Sequence, residues 1–396
     1  MNYLIIGNGI AGISGAEEIR KNDKLGRILV ISKEEYLTYN RIKLSHLISK
    51  EDYTMKDLLI HDENWYKERE IEVLLNTMVT GIDTDAKEVI TDSNGKIKYD
   101  KLLIANGSMP FIPPINGLDK EGVFALRTIN NLDEIQRYVN KCDSISIIGG
   151  GLLGLEAAWA LKQWNKKVNI IEFFPYLLPR QLDEELGIYL KEELEKQGLN
   201  FYLDSVVEKI EGDKNVRGIR LKDGRIIESD GVLISTGIRP NVTIVEGTDI
   251  QVDKGIVVDK YMKTNLEDVY AAGDIAQFNN IVFGLWSVSM NQGKVAGLNM
   301  CGNEKEYNMP KSAATLIIGK TKMFSVGNID ESEKEIKAKG ANYFHKLFLN
   351  KGKITGGVLI GDIKKMLALK KAVNENRDIS EMLKEDIKLE QILDNL

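Results

Sequence analysis

The chain has 396 residues, 43% hydrophobic and 28% charged, with a formal net charge of −6. That length carries two or three cores, and a mildly acidic balance argues against a dedicated nucleic-acid surface. Two cysteines and three histidines make neither a disulfide framework nor a zinc-type cluster, so a reducing, cytoplasmic setting without a bound metal is expected.

In chain order, the opening NYLIIG reads as a buried strand, so no leader is expected. Gly7, Gly9 and Gly12 then form a turn into a helix over ISGAEEIRK, and RILVIS (27–32) is the next strand. Further on, NGKIKYDKLLIANGSMP (Asn94–Pro110) reads as a turn, an edge strand, an apolar strand and Gly-x-x-Pro, followed by a proline-rich linker. The pattern then repeats. SISIIG is a strand, Gly149, Gly151 and Gly154 form the turn, LLGLEAAWALKQW is a helix, and KVNIIE is a strand closing on Glu172. DGRIIESDGVLISTGIRP (Asp223–Pro240) matches the earlier stretch: Asp100 and Asp230 are 130 residues apart, as are Gly107 and Gly237. A repeat of this kind implies a repeated domain. The segment leading to Gly273 and Asp274 has its own strand pattern. From about Lys311 strands and then a helix form a small α+β module. No apolar run reaches the roughly 18 residues of a membrane span.

The predicted fold is α/β, with two Rossmann-like dinucleotide-binding domains and a small α+β C-terminal domain. The expected boundaries are 1–112 with 242–308, then 113–241, then 309–396. A glycine turn between a strand and a helix binds phosphate, because the first N–H groups of the helix have no partner and its dipole is positive there. The first glycine permits the turn, the second admits a pyrophosphate and the third lets helix pack on strand. An acid some twenty residues on binds a ribose hydroxyl, and Glu172 stands 23 residues after Gly149. Phe173, Phe174 and Pro175 follow it, with no basic residue to accept a 2′-phosphate, so NADH is expected over NADPH. In the first copy the strand ends at Ser32, and the acid arrives as Glu34 or Glu35.

The two turns together with VYAAGDIAQF resemble the FAD/NAD(P)-dependent pyridine nucleotide-disulfide reductases, over nearly the whole chain. The resemblance implies FAD in the first turn and NADH in the second. Gly7, Gly9, Ile10, Ala11 and Gly12 would meet FAD, with Lys33 nearby, Ser32, Glu34 or Glu35 at its adenosine ribose and Arg41 against its phosphates. Lys43, Val79, Ala105, Asn106, Gly107, Gly273, Asp274 and Trp286 complete that site, Asp274 holding the ribityl chain. Gly149, Gly151, Leu152, Leu153, Gly154, Glu172 and Gly237 would hold NADH. Glu156 is expected to orient the nicotinamide, paired with Lys43 or His46. Within the superfamily, ISKEEYLTYNRIKLS (Ile31–Ser45) is similar to reductases serving rubredoxin, ferredoxin-type proteins or nitrite reductase. LWSVSMNQGKVAGLNMCG is similar to their late helix, with Ser289 where alanine is usual.

Disulfide reductases of this kind carry a cysteine pair near residue 40, and water-forming oxidases one cysteine. YNRIKLSHL has none, and Cys142 and Cys301 read as small apolar residues. Electrons are therefore expected to leave from the flavin itself, to O₂, a quinone or the metal centre of another protein, and the resemblance implies rubredoxin or a similar small iron-sulfur protein. Arg41, Lys43, Lys320, Lys322, Lys364 and Lys365 are candidates for docking it. An NADH oxidase, a reductase component of a ferredoxin, nitrite reductase or oxygenase system, and an NADH-binding signalling flavoprotein are the alternatives. A monomer or weak dimer is expected, with no nucleic-acid or membrane partner.

Overall fold

The computed structural model describes residues 1–309, 311–330, 332–384 and 387–396. The chain forms two compact units. One comprises Met1–Lys43, Asp52–Phe111 and Ile238–Met309, the other Leu44–Glu51, Ile112–Gly237 and Pro310–Leu396.

The first unit is built on a five-stranded sheet ordered Val269–Ala271, Lys101–Ile104, Asn2–Ile6, Arg27–Ile31, Ile71–Leu74. Every pairing in it is parallel. Parallel strands covered on both faces read as continuous apolar runs, as LLI and ILVI do here; Leu4, Ile5, Ile28, Val30 and Leu102–Ile104 are all buried. The helices Ile10–Asn22 and Trp286–Met300 cross at small residues. A Cβ on Gly293 would lie 2.1 Å from the Ala11 carbonyl oxygen, and one on Gly297 2.5 Å from that of Gly15. Glycine is required there for backbone-to-backbone approach. A three-stranded antiparallel sheet (Val79–Asp83, Glu88–Thr91, Lys96–Lys98) and the antiparallel pair Ser108–Pro110 with Ile238–Pro240 complete the unit.

The second unit repeats this plan. Its sheet is ordered Asn200–Tyr202, Lys167–Ile171, Ser144–Ile148, Gly231–Ile234, Val123–Ala125, again all parallel. Its three-stranded antiparallel sheet is Val207–Glu211, Gly218–Leu221, Ile226–Glu228. The sequence repeat is therefore a repeat of architecture. Residues 44–51 pack with this unit because the buried Gln136 amide donates to the carbonyls of Leu47 (2.8 Å) and Lys50 (2.9 Å).

The C-terminal module is a five-stranded antiparallel sheet ordered Ala313–Ile318, Thr321–Gly327, Lys353–Ile360, Phe344–Asn350, Lys334–Lys339. Phe324, Val326, Leu347 and Leu359 form a core with Leu369, Val373 and Ile392 from the closing helices. Alternate residues face the helix Glu184–Glu195 side: Ser325 donates to the Gln181 carbonyl at 2.8 Å, and Phe344 meets Tyr189 edge-on at 5.4 Å. On that face the Lys346 side chain is 4% exposed, with its ammonium 2.5 Å from Asp183, 3.0 Å from Glu335 and 3.2 Å from Glu185. Burial lowers its pKa. The three carboxylates more than offset that and hold its pKa above the ordinary lysine value.

Candidate functional site: two glycine turns

In the first unit Gly7 has φ +109°, and a Cβ there would sit 2.3 Å from the Ala105 carbonyl oxygen. A Cβ on Gly12 would sit 2.0 Å from the Gly7 carbonyl oxygen, whereas one on Gly9 would meet nothing within 4 Å. Gly9 caps the Ile10–Asn22 helix with no side-chain bond, and the first helical turn, which begins with Ile10 and Ala11, carries no acid. Free N–H groups thus face open space at the positive end of a helix, which is what a phosphate requires. The second unit reproduces each element. Gly149 has φ +110° with the Ser235 carbonyl oxygen 2.3 Å from its virtual Cβ, and the Cβ of Gly154 would lie 2.2 Å from the Gly149 oxygen. Gly151 faces open space and caps Leu152–Gln163 without a side-chain bond. Leu152 and Leu153 begin that helix, Leu153 being exposed. The residues of both turns therefore fit a dinucleotide.

Register identifies the residue beside each turn. Gly149 N–H donates to the Ile171 carbonyl and Gly7 N–H to that of Ile31, both at 2.8 Å. Ser32 therefore occupies in the first copy the place that Glu172 holds in the second. Glu172 is 7% exposed. One carboxylate oxygen accepts from the Gly150 N–H at 2.6 Å and the other from the Phe174 N–H at 2.9 Å. Ser32 is also buried, and its hydroxyl oxygen accepts from the Glu34 N–H at 3.2 Å. Glu34 itself is engaged by Arg41 and by the Tyr39 hydroxyl, which donates at 2.7 Å. Arg41 also donates to that hydroxyl at 2.8 Å. Lys33 and Glu35 are exposed.

Residues 105–107 and 273–274 follow the parallel strands Lys101–Ile104 and Val269–Ala271. The buried Ala105 backs Gly7. Gly107 (φ +72°) accepts the Asn241 N–H at 3.0 Å, and Asn106 donates its amide to the Asn241 carbonyl at 2.8 Å. The Asn106 side-chain oxygen is buried without a partner. Gly273 (φ +84°) donates its N–H to Gln292 at 2.9 Å, and Asp274 accepts from the hydroxyls of Ser108 (2.9 Å) and Ser289 (3.2 Å). Trp286 opens the helix that carries Ser289 and Gln292, and Val79 is buried on its strand. Lys43 donates to the Asp57 carbonyl at 2.7 Å. In the second unit Gly237 has φ +104° and open space at its Cβ.

Glu156 begins the second turn of the Leu152–Gln163 helix, beyond the first turn where the dipole acts most strongly. Its carboxylate accepts from the Ser45 hydroxyl at 2.9 Å. Burial raises its pKa, partly countered by that bond and by the charge of His46. No sequence motif marks Ser45. It reaches Glu156 because residues 44–51 fold onto the second unit. The thiols carry no redox signature: burial pushes Cys142 up to about 11, and Cys301 donates to the Ile19 carbonyl. Among the described residues no helix is long and apolar enough to cross a membrane, and no three His, Cys, Asp or Glu side chains group to hold a metal.

A family model described as pyridine nucleotide-disulphide oxidoreductase matches residues 1–293. The chain belongs to that family. A second model, the rubredoxin NAD+ reductase C-terminal domain, matches residues 313–377 of this oxidoreductase. A nitrite reductase (NAD(P)H) of Bacillus subtilis is 39% identical over 388 residues, which are 96% of this chain and 48% of the relative. The chain thus spans about half the length of that protein. The NADH-rubredoxin oxidoreductase of Clostridium acetobutylicum is 31% identical over 99% of this chain and 98% of its own. Its crystal structure superposes with a TM-score of 0.84 over 100% of this chain and 99% of that one. A NAD-dependent persulfide reductase from A. fulgidus gives 0.91 at 27% identity, over 96% of this chain and 78% of that one. Pyridine nucleotide-disulphide oxidoreductases use FAD and NADH, the pair expected from the two glycine turns.

Proposed function

We propose that this oxidoreductase takes electrons from NADH onto FAD and passes them singly to rubredoxin or a similar small iron-sulfur protein. The observation that carries the reading is the pairing of two phosphate-ready glycine turns with a 39–47 segment free of cysteine. In support, the C-terminal module matches a domain described for rubredoxin reductase, and the rubredoxin-reducing relative aligns end to end. Bound flavin converts between a two-electron donor and a one-electron acceptor.

The chain's own residues supply binding and orientation. The first turn would hold the FAD pyrophosphate, with Ser32 beside the adenosine ribose, Asp274 against the ribityl chain and Asn106 offering its unpartnered oxygen. The second would hold NADH, with Glu172 accepting from the ribose hydroxyls. Glu156, fixed by Ser45, would orient the nicotinamide end.

The purified protein is expected to carry one FAD per chain. The test is NADH-dependent reduction of rubredoxin in air. Rubredoxin reduced faster than oxygen at comparable concentration supports the reading. Rubredoxin reduced no faster than oxygen replaces it with an NADH oxidase.

A further inference from the structure

We propose that Ser289 and Ser108 are positioning residues that clamp the Asp274 carboxylate in the orientation that grips FAD. This rests on the reading of Asp274 as a ribityl ligand and adds the means by which it is held. Each carboxylate oxygen takes one hydroxyl: Oδ2 from Ser108 at 2.9 Å, Oδ1 from Ser289 at 3.2 Å. The two serines come from separate elements, the strand Ser108–Pro110 and the helix Trp286–Met300, so the carboxylate is fixed from two sides.

The helix holds the turn a second time. Gln292, three residues after Ser289 and on the same helical face, is fully buried and accepts the Gly273 N–H at 2.9 Å. Gly273 is wedged as well: a Cβ there would lie 2.9 Å from that of Ala11 and 3.5 Å from the Ser289 hydroxyl. The helix thus fixes the backbone of residue 273 and the side chain of residue 274 together. The serine at position 289, a departure from the alanine of the motif, thereby acquires a role.

The test measures FAD release from the holoenzyme by the recovery of free flavin fluorescence. Asp274→Ala is expected to speed release about tenfold or more. Ser289→Ala and Ser108→Ala should each speed it severalfold, with thermal midpoints of the apoproteins close to wild type. A double-mutant cycle separates clamping from mere packing. In the Asp274→Ala background, Ser289→Ala should add nothing. An equal effect of Ser289→Ala with and without Asp274 would overturn the clamp and leave the FAD reading standing, as would no effect of either serine beside a clear effect of Asp274→Ala. Unchanged release in Asp274→Ala would overturn both.

Discussion

Glu172 is the side chain proposed to set coenzyme choice. Its carboxylate is buried and tied to the N–H groups of Gly150 and Phe174, so it cannot swing aside for a 2′-phosphate. Like charges at about 4 Å with an effective dielectric of about 20 repel by roughly 4 kcal/mol as an upper guide, whereas a tenfold preference needs only about 1.4 kcal/mol. NADH is predicted to exceed NADPH at least about tenfold in kcat/KM. Glu172→Ser with Phe173→Arg should narrow that ratio, and a wild type favouring NADPH would remove Glu172 from the site. Glu156 makes a prediction of opposite character. Burial raises its pKa above the ordinary glutamate value near 4.5, so the folded state binds that proton more tightly than the unfolded chain. Its ionisation therefore costs stability as pH rises from about 4.5 through the raised value, and the cost is constant above that. Glu156→Gln, which keeps an acceptor for Ser45, should gain in melting temperature relative to wild type across that window. A difference that shrinks as pH rises would contradict the assignment.

The elements divide by how much of them was legible beforehand. The parallel strands were, because their burial on both faces writes apolar runs into the sequence, and the glycine turns were, because a Cβ at Gly7, Gly12, Gly149 or Gly154 would strike backbone. The glycines of the helix Trp286–Met300 were less so. Gly293 reads as a helix weakness by propensity, yet it is where that helix meets the Ile10–Asn22 helix behind the first turn. Gly293→Ala is predicted to cost about 1–3 kcal/mol as an overpacked contact and to speed FAD loss, read by thermal denaturation and flavin release. Gly81→Ala, where the nearest atom to a Cβ is 3.8 Å away, serves as the control that should change neither. Ser45 as partner of Glu156 was not legible, since the bond depends on residues 44–51 packing with a unit whose other strands begin some eighty residues later. Nor were the hydroxyls around Asp274, which come from segments 166 and 15 residues away.

For the whole molecule, charge placement bears on how a carrier would dock. Arg41 is paired with Glu34, Lys364 lies 3.5 Å from Asp362, and Lys365 is 2.9 Å from Asp394. The hairpin bearing Lys320 and Lys322 packs against Gln197 and Trp159, toward the C-terminal end of the Leu152–Gln163 helix. That helix is roughly 18 Å long, so those lysines sit away from the second glycine turn rather than beside it. Neutralising Lys320 and Lys322 is accordingly expected to leave NADH oxidation unchanged, with any effect confined to the KM for the carrier and to its salt dependence. The central claim is that two electrons enter from NADH and leave singly without a thiol. It is tested most directly by anaerobic rapid mixing. Holoenzyme reduced with one equivalent of NADH is mixed with excess oxidised rubredoxin, while flavin and iron absorbances are followed together. The account predicts flavin reoxidation with two rubredoxins reduced per NADH, at the same rate in a Cys142→Ala, Cys301→Ala variant; a flavin that stays reduced until oxygen is admitted would contradict it.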